Sequence, residues 1–266
     1  MSLAAGQPDP GAIEPFVALA HRLADAAAQV VRPYFRSPIE VIGKQDASPV
    51  TIADRDAETA MRALIGQAFP AHGILGEEHG PERVDAEHVW VLDPIDGTKA
   101  FISGMPLFGT LIALLHRGRP ILGIIDQPIL NERWVGATGR PTTFLGKPAR
   151  TRACASLAAA TLYSTSPDMF RGPDAGAYES LRGRVKLPRY GGDCYAYGQL
   201  ANGHIDIVVE AQLKPYDYLA QVPIIEGAGG AFTDWQGGKL GLESDGRVCA
   251  VGDPALHKDV LRLLAG

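Results

Sequence analysis

Cysteine is nearly missing from this 266-residue sequence: Cys154, Cys194 and Cys249 are odd in number, widely spaced and form no C-x-x-C. That excludes a disulfide framework and a paired-thiol motif, and fits three structural thiols in a reducing compartment. Long apolar runs are missing too. The longest, near Leu107 to Leu115, falls short of the roughly 20 residues needed to span a bilayer. No basic segment followed by an apolar one opens the chain, so no signal peptide is read, no membrane partner is expected, and a cytoplasmic location is. The seven histidines are scattered, without H-E-x-x-H or pairing with cysteine, which argues against zinc. Neither G-x-x-x-x-G-K-[ST] nor G-x-G-x-x-G is present, so a nucleotide-binding loop is not supported. Positive charge is in deficit, with 25 Lys and Arg against 30 Asp and Glu and a net charge of −5. This speaks against a nucleic-acid surface and suits a site built from acids.

What remains is an ordinary globular composition, 46% hydrophobic and 21% charged, in a chain long enough for one large domain or two smaller lobes. Helical spacing of apolar residues predicts a helix over Ile13 to Tyr34, and Ile39 to Ile42 reads as a strand. Thr51 and Asp54 resemble a capping box with Asp in place of Glu, opening a helix that stops at Pro70. Gly73 to Gly76 and Val89 to Leu92 are expected strands that deliver Glu77-Glu78 and Asp93. Phe108 to His116 and Pro120 to Asp126, separated by Arg117-Gly118-Arg119, read as a hairpin joined by a third strand at Trp134 to Ala137. The Gly-, Pro- and Thr-rich stretch Gly139 to Pro148 is taken as a boundary between lobes 1–145 and 146–266. Beyond it, strands are expected at 160–163, 185–188, 205–209 and 231–233, and helices at 193–202, 216–228 and 254–265. This alternation predicts a layered α/β arrangement.

Chemistry concentrates in Asp93-Pro94-Ile95-Asp96-Gly97-Thr98, with Gly76-Glu77-Glu78 just upstream. Pro94 fixes its own φ and Gly97 permits a positive one, so the turn can point both carboxylates and the Ile95 carbonyl the same way. Hard oxygen donors gathered at a strand end suit Mg²⁺. If Gly97 and Thr98 open a helix, their N–H groups stand where a phosphate oxygen binds. Hydrolysis of a phosphate monoester without a covalent nucleophile demands such a cage of acids, here Glu77, Asp93, Asp96 and a later acid, with Asp54 nearby. The competing reading is an ordinary turn, since Asp-Pro and Asp-Gly are both turn signals.

The segments Pro49 to Asp54, Gly76-Glu77-Glu78, Asp93 to Thr98 and Lys214-Pro215-Tyr216-Asp217 resemble, in order and spacing, the inositol monophosphatase-like phosphatases. The resemblance runs from about Ile13 to Leu264. Leu92-Asp93 through Ile102, Leu107 to Ile112, Ile125-Asp126-Gln127-Pro128, Gly191 to Tyr195 and Leu213 to Tyr218 are most similar to the histidinol-phosphate phosphatase branch. One departure is Leu92, where inositol monophosphatases usually carry tryptophan. The resemblance implies a layered αβαβα sandwich of the inositol monophosphatase and fructose-1,6-bisphosphatase type, in two lobes. It implies that Glu77, Asp93 and the Ile95 carbonyl hold one Mg²⁺ and that Asp93, Asp96 and Asp217 hold a second. Glu77 binds a third through water. Asp54 and Thr98 form a dyad that deprotonates the attacking water, Asp96, Gly97 and Thr98 meet the phosphate, and the protein is a homodimer.

Substrate contacts are expected after the boundary, at Gly192, Asp193, Glu210 and Asp217. Inositol-specific relatives carry small groups where Asp193 stands. A second acid opposite Glu210 favours a cationic alcohol such as histidinol over neutral inositol. Asp193 as a plain helix cap, and Asp217 as a first-turn acid facing the helix dipole, stand as alternatives. Ser164-Thr165-Ser166 reads as a helix start or as the pocket's edge. Lys44 reads as a solvated lysine or as a neighbour of the metal loop. The clustered tyrosines 190, 195, 197, 216 and 218 read as packing or as a stacking surface. The expected activity is Mg²⁺-dependent hydrolysis of L-histidinol phosphate, a small phosphomonoester. The alternatives are an inositol-phosphate or broad sugar-phosphate phosphatase, and a non-catalytic scaffold of the same fold.

Overall fold

The computed structural model describes residues 13–37, 41–43 and 49–265. Lys44 and part of the strand expected at Ile39 to Ile42 lie outside them. The chain runs α1 (Glu14–Val31), β1 (Val41–Gly43), β2 (Pro49–Thr51), α2 (Ile52–Ala68), β3 (Gly73–Gly76), β4 (Gly80–Glu82), β5 (His88–Asp96) and α3 (Thr98–Ile102). It continues through β6 (Gly109–His116), β7 (Arg119–Gln127), β8 (Glu132–Ala137), β9 (Thr143–Phe144), β10 (Lys147–Pro148), β11 (Thr161–Ser164), α4 (Pro173–Arg182) and β12 (Leu187–Tyr190). Last come α5 (Asp193–Ala201), β13 (Ile207–Glu210), α6 (Pro215–Tyr218), α7 (Gln221–Gly227), β14 (Ala231–Asp234), β15 (Val248–Val251) and α8 (Pro254–Leu264).

Residues 73–148 supply an eight-stranded sheet in the order β10-β9-β8-β7-β6-β5-β3-β4, and residues 161–251 a five-stranded one in the order β12-β11-β13-β15-β14. Alternation along the strands sorts side chains between three apolar layers. Trp90, Leu92, Ile112, Leu114 and Ile124 face α1 and α2, through Leu23, Ala27, Ala57 and Met61. Val89, Val91, Leu111, Ala113 and Ile125 face the other way, onto Tyr197 and Leu200 of α5 and Ile224 and Ile225 of α7. Val208, Val248 and Ala250 of the smaller sheet close that layer from its far side. Ile207, Val209 and Cys249 look outward to Tyr178 and Leu181 of α4 and Val260 and Leu264 of α8. The result is the expected αβαβα sandwich, whose central layer both sheets share.

Several expectations need correction. The first α-helix ends at Val31 and passes into a 3-10 turn over Arg32–Tyr34, because Pro33 has no N–H to donate to the carbonyl four residues back. The helix expected over 216–228 is two, α6 and α7. Pro223 cannot donate to the Leu219 carbonyl and its ring crowds it, so the chain breaks between them. The strand expected at 185–188 is β12, two residues later. β4, α4 and β15 were not expected; each buries too short an apolar set to show a period of its own. The hairpin between β6 and β7 turns on Arg117 and Gly118, both at positive φ (49° and 76°), the geometry of a type I′ turn.

The close fit of α7 against the larger sheet depends on two glycines. A Cβ on Gly123 of β7 meets the Ala220 carbonyl oxygen at 1.8 Å, and one on Gly136 of β8 meets the backbone of Pro223 and Ile224 at 2.4 Å. Neither neighbour can yield without moving the helix start that follows Asp217. Gly123→Ala is expected to lower stability by about 1–3 kcal/mol or more, read as a shift in urea midpoint. Gly66→Ala, inside α2 with open space around its Cβ, is the counterpart and should stabilise by about 0.5–1 kcal/mol.

Candidate active site

The site forms where β3 and β5 end side by side. The two strands run parallel with Gly76 opposite Leu92, so the residues that follow, Glu77 and Asp93, leave the sheet as neighbours. The Glu77 N–H donates to the Leu92 carbonyl at 3.2 Å and prolongs the pairing into the site. Asp93 and Asp96 are three apart, a spacing that regular alternation sends to opposite faces. The register against β6 shifts there, with Asp93 opposite Leu111 but Asp96 opposite Gly109. This bulge inserts one residue and returns both carboxylates to the same side. It is locked by the buried Thr110 hydroxyl donating to the Pro94 carbonyl at 2.7 Å and by the Ile95 N–H donating to Asp93 Oδ1 at 3.1 Å.

Asp217 arrives from the start of α6. One of its oxygens, Oδ2, accepts the Lys214 N–H at 2.7 Å, so it caps its helix as the first-turn reading expects. It also joins the cluster: one oxygen each from Asp93, Asp96 and Asp217 lies within 4.8 Å of the others. Asp96 Oδ2 is held in turn by the Cys194 N–H at the start of α5, at 2.7 Å. Asp54 is buried in the first turn of α2, close enough to repel Asp93; the side chain of Thr51, its partner in the expected cap, lies outside the described residues. Gly97 turns at φ 85° before α3 begins at Thr98, and the Thr98 hydroxyl donates to the Ile95 carbonyl at 3.1 Å.

A cavity of about 260 Å³ opens from this cluster between the two sheets. Glu77, Asp96, Gly97, Thr98 and Asp217 line it together with Asp193, Glu210, Tyr197 and Thr165. Asp193 does not cap its helix: Gly192 is the N-cap and makes no side-chain cap bond, while Asp193 itself sits at φ 42° and its side chain lies against Gly97. Glu210 is buried at the end of β13, where it accepts the Thr165 N–H at 2.9 Å and the Tyr197 hydroxyl at 2.8 Å. Thr165 therefore belongs to the pocket's edge, whereas Ser166 caps the short turn after it by accepting the Asp168 N–H. Among the clustered tyrosines, Tyr197 reaches the cavity, while the Tyr195 hydroxyl bonds Glu132 and that of Tyr218 bonds the Gly241 carbonyl. Lys99, Met169, Leu213 and Gln221 also line the cavity and were not singled out from sequence; only Lys99, inside the Asp93 to Phe101 run, carried a signal.

The electrostatics are one-sided. Burial, then Glu77, Asp96, Asp217 and Asp54, push the Asp93 carboxyl well above its ordinary range. Burial, then Asp193 and Asp217, do the same to Asp96, partly offset by Cys194. Burial lifts Asp217 to about 7 against the opposing Lys214 N–H bond, with Glu77 and Glu210 adding to the rise. Burial, then Glu210, lift Asp193 to about 7, with Lys99 opposing. Every charged group acting on Asp93 is another carboxylate, so this set of hard oxygen donors fits a divalent cation.

A carboxyl whose pKa is raised by folding stabilises the protein fully below its unfolded value and loses that contribution as pH rises through the folded one. The metal-free protein should therefore melt roughly 2–4 °C lower, or more, at pH 9 than at pH 7. Saturating Mg²⁺ should remove the difference, because it binds only the ionised folded site. The comparison starts at pH 7 because His72, lowered to about 4 by burial and by His88, has the opposite sign and loses its contribution as pH falls from 6.5. Asp93→Asn should raise the melting temperature of the metal-free protein at pH 9 and abolish its response to Mg²⁺.

The sequence from 12 to 265 matches the model of the inositol monophosphatase family. The chain is 51% identical over 261 residues to the bifunctional phosphatase IMPL2, chloroplastic, of Arabidopsis thaliana, covering 95% of this chain and 75% of that one. It is 36% identical to a histidinol-phosphatase of Chlorobaculum parvum, covering 89% and 92% of the two chains. The fold superposes on an inositol monophosphatase from Zymomonas mobilis with a TM-score of 0.89 at 50% identity, covering 96% and 99%. The chain belongs to the inositol monophosphatase family, and the carboxylates that gather at its strand ends are those of a phosphatase fold.

Proposed function

We propose that this phosphatase hydrolyses L-histidinol phosphate to L-histidinol and phosphate, using Mg²⁺. The observation that carries the reading is a second pair of acids, Asp193 of α5 and Glu210 of β13, lining the same cavity as the carboxylate cluster. Glu210 already receives three protein donors, the Thr165 N–H and hydroxyl and the Tyr197 hydroxyl, whereas Asp193 faces Gly97 and has only Lys99 to oppose its rise in pKa. An ammonium group beside Asp193 is the complement this pair lacks, and histidinol carries one. Relatives named histidinol-phosphatase, 32 to 36% identical to the chain, support the same substrate. A specific likeness favours a second reading, an inositol-phosphate or broader sugar-phosphate phosphatase: the 50% identical structure is called an inositol monophosphatase.

In this reading Glu77, Asp93 and the Ile95 carbonyl would hold one Mg²⁺, Asp93, Asp96 and Asp217 would hold a second, and Glu77 would also serve a third. Bound Mg²⁺ supplies charge neutralisation on the phosphoryl oxygens and a lowered pKa for the attacking water. The chain's own residues do the rest. The N–H groups of Gly97 and Thr98 hold a phosphate oxygen, and Asp54 with Thr98 takes up the proton of the attacking water. Were the Ile95 carbonyl engaged as a ligand, the Thr98 hydroxyl, which now donates to it, would be free to serve Asp54. The new bond forms between water oxygen and phosphorus as the bond to histidinol's oxygen breaks; that oxygen takes a proton from solvent water, and Asp54 with Thr98 returns the proton it took up to solvent. Gly192, Asp193, Glu210 and Asp217 hold the alcohol. The reading assigns the metal site to the lobe before about residue 145, except for Asp217, and the alcohol contacts to the lobe after it. The three buried free cysteines support a reducing compartment such as the cytoplasm, and among the described residues no helix is long and apolar enough to cross a membrane. The homodimer implied by the family is checked by light scattering.

Phosphate release from L-histidinol phosphate and from myo-inositol 1-phosphate, with Mg²⁺ and with chelator, tests the assignment. Turnover should require Mg²⁺, favour histidinol phosphate and vanish in Asp93→Asn. Asp193→Asn should lower kcat/KM for histidinol phosphate by about 10- to 100-fold, mostly through KM, and leave inositol phosphate unharmed. A wild-type preference for inositol phosphate overturns the substrate and keeps the chemistry. Silence toward every phosphomonoester favours the scaffold.

A further inference from the structure

Glu58 is fully buried on α2, one turn after Asp54 and on the same face. No step of the reaction uses it. Its Oε2 accepts the Glu78 N–H at 2.7 Å, and its Oε1 accepts the His79 N–H at 3.2 Å and the Arg62 Nε at 2.7 Å. Arg62 reaches on to the Gly80 carbonyl and to Glu82. On the other side of Glu77, the carboxylate occupies the space a side chain at Gly76 would take: a Cβ there meets Glu58 Oε1 at 2.0 Å. One buried carboxylate thus abuts the residue before Glu77 and binds the two residues after it. A second set of bonds from α2 adds to the grip, with His79 Nε2 3.1 Å from the Thr59 hydroxyl and 3.2 Å from the Arg55 carbonyl.

The arrangement answers a specific need. Glu77 raises the pKa of both Asp93 and Asp217 by repulsion, and by the same force those carboxylates push Glu77 out of the site. Something other than the site must hold its backbone in. We propose that Glu58 is the positioning residue for Glu77, and that the Glu58–Arg62 pair sets how tightly the site takes a divalent cation. This rests on the reading of the carboxylate cluster as a metal site. Removing Glu58 leaves two partly buried N–H groups without their acceptor and Arg62 without its buried partner, so the loop relaxes in the direction the repulsion drives it. Outer groups that orient metal ligands typically carry about 10- to 100-fold in affinity.

The test uses the full chain without substrate, as wild type, Glu58→Ala, Glu58→Gln and Asp93→Asn. Mn²⁺ binding is titrated by electron paramagnetic resonance, amide hydrogen exchange is followed at Glu78 and His79, and melting temperature is recorded. Glu58→Ala should weaken Mn²⁺ by about 10-fold or more and speed exchange at Glu78 and His79, while exchange in β5 and β6 is unchanged. Glu58→Gln keeps the size and one acceptor oxygen and should recover part of both losses. Wild-type Mn²⁺ affinity in Glu58→Ala overturns the proposal, as does a loss of protection spread over the whole protein, which marks Glu58 as a general stability element. Should wild type and Asp93→Asn bind Mn²⁺ alike, the metal reading is what fails. Exchange at Glu78 and His79 then still decides: protection retained in Glu58→Ala refutes the positioning role, and its local loss sustains it.

Discussion

Like charges brought together out of water are the constraint around which this molecule is arranged. Asp93, Asp96, Asp217, Glu77 and Asp54 repel one another in a buried space, and no amount of apolar packing makes that arrangement favourable by itself. Three of these acids are tied to backbone. Asp93 is bonded by the Ile95 N–H inside a bulge, Asp96 by the Cys194 N–H at the start of α5, and Asp217 by the Lys214 N–H that it caps. Donation from backbone amides favours the ionised form a metal requires without adding a mobile cation that would compete for the site. Local stability is given up so that the cluster exists before its ligand arrives.

The two sheets take different parts in this. Parallel β3 and β5 bring Glu77 and Asp93 out side by side, which an antiparallel pair would separate by the length of a strand. The central layer brings α5, α6 and α7 across to the same strand ends from the other half of the chain. Gly123 and Gly136 fix how closely α7 can sit, and hence where the residues just before it, Asp217 among them, meet the cluster. The cavity lies between sheets because both contribute to its lining, a common setting for ligand sites.

Much of the fold was legible in the chain because long elements carry their period openly: α1 and α2, and the hairpin of β6 and β7. The Asp93 to Thr98 run was legible because proline, glycine and acids at that spacing restrict both backbone and chemistry. What could not be read depends on distance through space. Asp217 looks like any first-turn acid until α6 is seen beside β5, and only resemblance to a family singled it out. Met169, Leu213 and Gln221 have no local signature, since lining a cavity is a property of the tertiary fold. β15 and α4 bury four and three side chains respectively, too few to reveal a period. The break between α6 and α7 was legible in Pro223 and was missed because the apolar spacing runs straight through it.

The carboxylate cluster and the α5 side of the cavity are not independent. Asp193 and Cys194 share a peptide unit: the Cys194 N–H holds Asp96, while the Asp193 side chain rests on Gly97, whose positive φ turns the chain into α3. Asp193 itself sits in the left-handed region, which aspartate tolerates better than a β-branched residue. A threonine there removes the charge and also strains the peptide that anchors Asp96. The Asp193 side chain and the Asp96 carboxylate are linked through that peptide, so a change of side chain at position 193 acts on both. Separating the two effects requires comparing replacements that alter charge alone, such as Asp193→Asn, with those that also alter backbone preference.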